Sequence, residues 1–145
     1  MRFSVFLLLF VALVGGKTAV AQEEGTPEPN RFGVIESYED PAKATQLGVG
    51  WTRVRFQWAE VQSTGPDVWE PAVSDEQIVA EIEAGREVVG PLIGIPEWAR
   101  DENRLPSGLN LPHDDPDNLW ATFVREAVTR YDGQIAHWII WNEPD

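Results

Sequence analysis

Cysteine is absent from the 145 residues. That excludes disulfide bridges, a thiol nucleophile, a cysteine-held metal and a lipid-modified N-terminal cysteine, so stability has to come from a packed core. Basic residues are scarce: 11 Lys and Arg stand against 24 Asp and Glu, for a formal charge of −13. Such a charge repels phosphate backbones and anionic membrane surfaces, and nucleic acid is not an expected partner. Histidine occurs only twice. One of the two opens the run His113-Asp114-Asp115, whose spacing matches no metal site, so the run reads as a solvated loop and no cofactor is implied. One apolar run stands out, residues 3–14, and it is shorter than the ~20 residues a membrane-spanning helix needs. Internal repeats are missing, as is any low-complexity tract after residue 30.

What is present suits a globular chain, with 43% hydrophobic and 10% aromatic residues. Residues 1–21 read as a secretory signal peptide: Arg2 supplies the positive start, residues 3–14 the apolar centre, and Ala19-Val20-Ala21 the small-residue cleavage site. The expectation is a protein secreted to the extracellular space or the periplasm, with no membrane attachment after cleavage. Residues 22–30 are acidic and interrupted by Pro27 and Pro29, which reads as a flexible leader. The domain then occupies residues 31–145.

Within that domain the pattern alternates. Residues 32–38 read as a first strand. Asp40-Pro41 follow as N-cap and first residue of a helix through Leu47, with Gly48 and Gly50 as its stop. Residues 51–58 form a second strand of strict alternation, with Val54 and Phe56 on one face and Arg53, Arg55 and Gln57 on the other. Two arginines on one face need carboxylates or water opposite them. A barrel interior near a catalytic acid meets that need, and so does an edge strand with a solvated face. After a loop over 59–74, a helix begins near Asp75 with Ile78, Val79 and Ile82 as its apolar stripe and Gly85 as its stop. Residues 87–94 are a third strand in which Pro91 calls for a bulge or a shifted boundary. The loop over 100–117 is long for a compact domain, a length found in functional or disordered loops. A third helix runs over about 118–131, with Leu119, Phe123, Ala127 and Val128 at helical spacing, and Asp132-Gly133 closes it. Residues 135–141 make a fourth strand. Strands alternating with helices, without a hairpin signal, predict an α/β fold on a parallel sheet.

The fourth strand carries the chemistry. In His137-Trp138-Ile139-Ile140-Trp141-Asn142-Glu143-Pro144-Asp145, four successive apolar residues suit a strand buried on both faces, and Pro144, with no amide to donate, ends it. An amide and a carboxylate then stand at a strand's C-terminal end, where parallel α/β folds bind ligands.

The segments Phe32-Gly33-Val34, Leu47-Gly48-Val49-Gly50-Trp51-Thr52-Arg53-Val54, Ile95-Pro96-Glu97-Trp98-Ala99 and Trp141-Asn142-Glu143-Pro144, in that order, resemble the N-terminal half of the clan A retaining glycoside hydrolases. The nearest branches are the β-xylosidase and α-L-iduronidase group and its cellulase-like relatives. The resemblance implies a (β/α)8 TIM barrel, of which residues 31–145 cover about three and a half βα units, ending after strand four. It implies Glu143 as the general acid/base, Asn142 as the holder of the sugar 2-hydroxyl, and Arg53 as the residue that orients the nucleophile, with Arg55 in reserve. The chemistry agrees with these roles. A glycosidic oxygen leaves only when protonated, so the acid must keep its proton near neutral pH, which desolvation by an apolar neighbour such as Trp141 favours. Asn142 can donate a hydrogen bond that strengthens as charge develops at the anomeric carbon. Arg53, always cationic, would keep an opposing carboxylate ionised.

Among the seven tryptophans, Trp98 and Trp141 lie near strand ends and are candidates to line a sugar subsite. Trp51, Trp120 and Trp138 read as core. Glu36 and Glu97 also stand near strand ends. A retaining hydrolase needs two carboxylates about 5–5.5 Å apart, and in the resembling family the nucleophile comes from strand seven. The expectation is therefore an N-terminal fragment, inactive alone, of an enzyme that hydrolyses a glycoside or an oligo- or polysaccharide. The other expectation is a non-catalytic carbohydrate-binding or interaction module on the same half-barrel. Sugar identity, endo or exo action and oligomeric state are not written in these residues.

Overall fold

The computed structural model describes residues 31–142, and four parallel strands order everything in them. The elements are β1 (Gly33–Ile35), α1 (Pro41–Gln46), β2 (Trp51–Arg53), α2 (Trp58–Val61), α3 (Asp75–Glu83), β3 (Glu87–Leu92), α4 (Leu119–Arg130) and β4 (Ile135–Ile140), with one-turn 3-10 segments at Ser37–Glu39 and Glu97–Ala99. The sheet order is β1-β2-β3-β4, every pair parallel, so each strand lies beside its predecessor in sequence. This is an α/β fold. The expected signal peptide over 1–21, the leader over 22–30 and Glu143 lie outside the described residues.

One face of the sheet is packed. Val54, Phe56, Val88 and Leu92 point to it and are almost wholly buried against Ile78 of α3 and Phe123 and Ala127 of α4. Aromatic rings dominate that layer. Phe56 meets Tyr131 edge-on at 5.5 Å and Trp138 at 5.8 Å, and Trp58 stacks on Phe123 at 5.0 Å. Each such pair contributes roughly 0.5–1.5 kcal/mol beyond its buried area. Trp138 reaches the layer because its partner across the ladder is Gly90, where a Cβ would lie 2.5 Å from the indole.

Local chemistry places most helix ends where the sequence does. The Asp40 carboxylate accepts from the Lys43 amide at 3.0 Å, with Pro41 following as first helical residue. Ser74 and Gln77 form a reciprocal capping box ahead of α3. The Asn118 side chain caps α4 by accepting from the Ala121 amide at 3.0 Å. The loop over 100–117 is held by its own bonds: the Asp101 carboxylate accepts from the amides of Asn103 and Leu105, and the Arg100 guanidinium donates to the Ile95 carbonyl.

Several expectations need correction. β1 ends at Ile35, three residues early, because Glu36 takes a left-handed backbone (φ 58°) and Ser37 turns inward, donating its amide to Thr52 Oγ1 and its hydroxyl to Glu81. The β2 ladder stops at Arg53 and resumes only at the Gln57–Ile93 bridge. The carbonyls of Val89 and Ile93 both accept from the β2 side, so Pro91, of the same parity, presents its missing amide there. Pro91 thus opens the β2 ladder, while the register shift of β3 lies on the β4 side at Val88/Val89. Trp58, expected to end a strand, instead starts α2, a turn of helix in the segment read as loop. On α3 the stripe differs: Ile78 is buried, but Val79 and Ile82 are exposed and Glu81 is buried in their place. On α4, Val128 is exposed while Phe123 and Ala127 pack. β4, expected to be buried on both faces, pairs among the described residues with β3 alone and keeps only Ile135 buried and Trp138 half-buried; Ile140 is 60% exposed. Of the tryptophans read as core, Trp120 and Trp138 pack against it, whereas Trp51 lies over Gly33 on the opposite face of the sheet.

Glu81 explains why a carboxylate displaces a leucine-like position. It forms a two-point ion pair with Arg86, Nε to Oε2 at 2.6 Å and Nη2 to Oε1 at 2.9 Å, with both side chains buried. Arg86 also reaches Thr45 Oγ1 at 3.0 Å. The network ties α1, the turn after β1, α3 and the approach to β3 together. Burial pushes the Glu81 carboxyl up, but the hydrogen bonds from Arg86 and Ser37 and the Arg86 charge outweigh it and hold the group below its ordinary range.

Candidate functional site

The other face of the sheet is open. Side chains on β2 alternate, so once Thr52, Val54 and Phe56 face the helices, Arg53, Arg55 and Gln57 must face away. β2 is bordered by β1 and β3, which removes the edge-strand explanation of its polar face. Here those three side chains, with Glu36 beyond β1, Pro91 of β3, Ile93 just beyond it and Asn142 beyond β4, line a cleft of about 420 Å³. It lies toward the C-terminal ends of the strands, since Glu36 directly follows β1 and Asn142 comes two residues after the end of β4.

Two residues singled out in sequence meet in it. Arg53 Nη1 stands 3.5 Å from Asn142 Oδ1, at the outer limit of a hydrogen bond, across 89 positions of sequence. Arg55 is otherwise engaged: its guanidinium grips both carboxylate oxygens of Glu60, with Nε to Oε2 at 3.1 Å. That bond, the Glu60 charge and the more distant Glu36 charge raise the Arg55 pKa above its ordinary value. The geometry therefore separates the two arginines. Arg53 faces the strand-four rim, and Arg55 is clamped to the start of α2.

Trp98 and Trp141 do not line this cleft. The Trp98 indole donates to the Gln62 carbonyl at 2.6 Å and meets Trp58 edge-on at 6.0 Å, which ties it to the rim of the packed layer. Trp141 also takes a left-handed backbone (φ 66°); its amide donates to the Leu92 carbonyl at 3.0 Å, and its ring meets Trp120 at 6.1 Å. It lines a separate apolar hollow of about 220 Å³ with Ile95, Leu105, Pro106, Leu109, Trp120 and Ile140. Glu97 is exposed and paired with Arg100. The carbonyl of His113 accepts from Arg125.

Glu36 is the cleft residue that sequence reasoning undervalued. Its signal, a carboxylate just after a strand, is common; what distinguishes it is a positive φ that no local pattern announces. Among the described residues no group of three or more His, Asp or Glu side chains gathers as a metal site, and no helix is long and apolar enough to cross a membrane. What remains is a polar cleft with hydrogen-bond donors from Arg53, Gln57 and Asn142 and one carboxylate acceptor, a lining that suits a hydroxylated ligand. A scan against protein-family models gave no match, and a search of curated proteins gave none.

Proposed function

We propose that the chain is the N-terminal half of a (β/α)8 barrel belonging to a secreted retaining glycoside hydrolase. The observation that carries the reading is the meeting of Arg53 and Asn142 in one polar cleft at the carboxyl ends of the strands. The strictly sequential strand order and the packing of α3 and α4 on one face support it, because closing such a sheet would turn the polar face inward. The segments that resemble the clan lie in the clan's order, and residues 1–21 carry the features of a secretion signal.

In this reading Glu143 protonates the glycosidic oxygen and then activates water for the second displacement. Asn142 holds the 2-hydroxyl. Arg53 keeps the nucleophile ionised, and that nucleophile is a glutamate on a later strand of the complete barrel. The substrate is a glycoside or an oligo- or polysaccharide. Sequencing the coding DNA beyond the codon for Asp145 tests the proposal: it is expected to encode further βα units with a second glutamate at a strand end. The protein carrying them should hydrolyse aryl glycosides with retention of configuration, and Glu143→Gln should lower kcat by about 10²–10⁴-fold. A stop codon at that point, together with no turnover, would contradict it.

A second reading, a carbohydrate-binding module without catalysis, draws on one observation. Glu36 is the only carboxylate lining the cleft among the described residues. That reading predicts sugar binding unchanged by Glu143→Gln.

A further inference from the structure

The sheet ends in two bare strands. Among the described residues no strand pairs with the outer edge of β1 or of β4. Parity tells which backbone groups are left over. The Glu36 amide donates to Arg53 on the β2 side, so Gly33 and Ile35 turn their amides and carbonyls outward. At the other edge the Trp141 amide donates to Leu92 of β3, so Trp138 and Ile140 turn theirs outward. Each edge thus offers donors and acceptors at the same two-residue spacing. Exposed edges are ordinarily blunted by a charge, a proline or a bulge. Neither Gly33-Val34-Ile35 nor Trp138-Ile139-Ile140 holds a charge or a proline, and the register shift beside β4 lies below Trp138, at Val88/Val89. Both edges carry apolar side chains in the open, with Ile35 59% and Ile140 60% exposed.

We propose that the two edges fit each other across molecules: the 145-residue chain pairs with a second copy, β1 of each against β4 of the other, and the two sheets close into one ring. A two-fold axis along the strands preserves their direction, so the new pairs are parallel, as is every pair already in the sheet. Two four-stranded sheets supply about eight strands, the number at which side chains alone fill a barrel. The faces agree as well. Ile35 is in register with Arg53 and Ile139 with Pro91, all on the cleft side, while Val34 is in register with the buried Thr52 and Trp138 packs on Phe56. Setting Ile35 of one copy beside Ile139 of the other keeps the cleft side together and puts Val34 beside Trp138 on the packed side. The Ile35 amide then meets the Trp138 carbonyl, and the Ile35 carbonyl meets the Ile140 amide. Closure also carries Glu36 of each copy to the rim beside Asn142 of the other, so the cleft, open beyond both edges in one chain, is walled in by the pair. Pairing β4 with β4 would run antiparallel and leave both β1 edges bare. The formal charge of −13 on each chain works against association, so the apolar edges have to carry it and added salt should tighten the pair. The inference goes beyond the glycosidase reading and does not need it: where a longer chain supplies the next strand itself, that strand takes the place of the second copy.

The test is the mass of the purified full chain, read by light scattering during size exclusion over a wide range of concentration. A two-chain species that takes on no further copies is expected, since a closed ring leaves no edge to extend. The Ile35 and Ile140 amides face the open edges, so Ile35→Pro and Ile140→Pro each remove one outward donor and spare the bonds to β2 and β3. Each variant alone should weaken pairing by at least about tenfold. An equimolar mixture of the two should recover a two-chain species, because β4 of the first and β1 of the second remain intact. Ile35→Lys and Ile140→Lys, at side chains already more than half exposed, repeat the test where proline disturbs the strand, with near-ultraviolet circular dichroism checking the fold. A wild type that stays a single chain, or that grows into ever larger assemblies, would overturn the proposal and leave the glycosidase reading standing. An Ile35 variant that pairs as strongly as wild type, a mixture that stays as single chains, or a pair that salt dissolves would overturn it as well.

Discussion

The two faces of β2 and its extension, residues 52–57, differ in almost every respect although the same backbone makes both. Thr52, Val54 and Phe56 are buried among helices and rings, and Phe56 alone touches Trp69, Phe123, Tyr131 and Trp138. Arg53, Arg55 and Gln57 line an open cleft, and the contact between Arg53 and Asn142 is long. The comparison teaches that one face carries stability and the other is left available for a ligand, separated by the two-residue period of an extended chain.

The sharpest way to break this contrast is on the packed face. Phe56→Ala should cost about 3–5 kcal/mol, enough to unfold much of a marginally stable domain, as read by urea denaturation. Arg86→Met leaves Glu81 buried without its partner and should cost about 3–5 kcal/mol, whereas Arg86→Met combined with Glu81→Leu should recover most of it. The same pair sets a pH dependence. The folded Glu81 pKa lies below its ordinary value of 4.5, so its stabilisation is complete above that value and drains as pH falls through the lower folded one. Melting curves should be flat in this contribution near neutrality and fall in acid, and Glu81→Leu with Arg86→Met should blunt the fall. Gly90→Ala, which drives a methyl group into the Trp138 ring, should cost about 1–3 kcal/mol. Smallest of all, Arg53→Met on the open face should change stability by less than about 1 kcal/mol.

Much of the architecture was legible because it is local. The order of the four strands with α1, α3 and α4 between them, the Asp40-Pro41 helix start and the alternation read over 51–58 as far as Gln57 all follow from neighbouring residues, and each is found. What could not be read depends on partners far along the chain. Glu81 looks like a surface residue of α3 until Arg86 and Ser37, 44 positions earlier, are brought to it. Val79 and Ile82 look like core until Glu81 takes the inward position. β4 reads as doubly buried from its apolar run, yet burial depends on what lies beside and above a strand, which its own sequence does not state. The candidate site divides in the same way. Arg53 and Asn142 were singled out and do meet, Trp98 and Trp141 were singled out and face other surroundings, and Glu143 lies outside the described residues. Glu36 emerged only from backbone geometry, since a left-handed carboxylate and an extended one are written with the same letter.

The division of labour between the faces is tested most directly by one variant measured twice. For Arg53→Met, Tm and the affinity for methyl β-D-xylopyranoside should come apart: Tm within about 2 °C of wild type, and affinity lower by at least about tenfold. A variant that melts as Phe56→Ala does while binding the sugar unchanged would contradict the account.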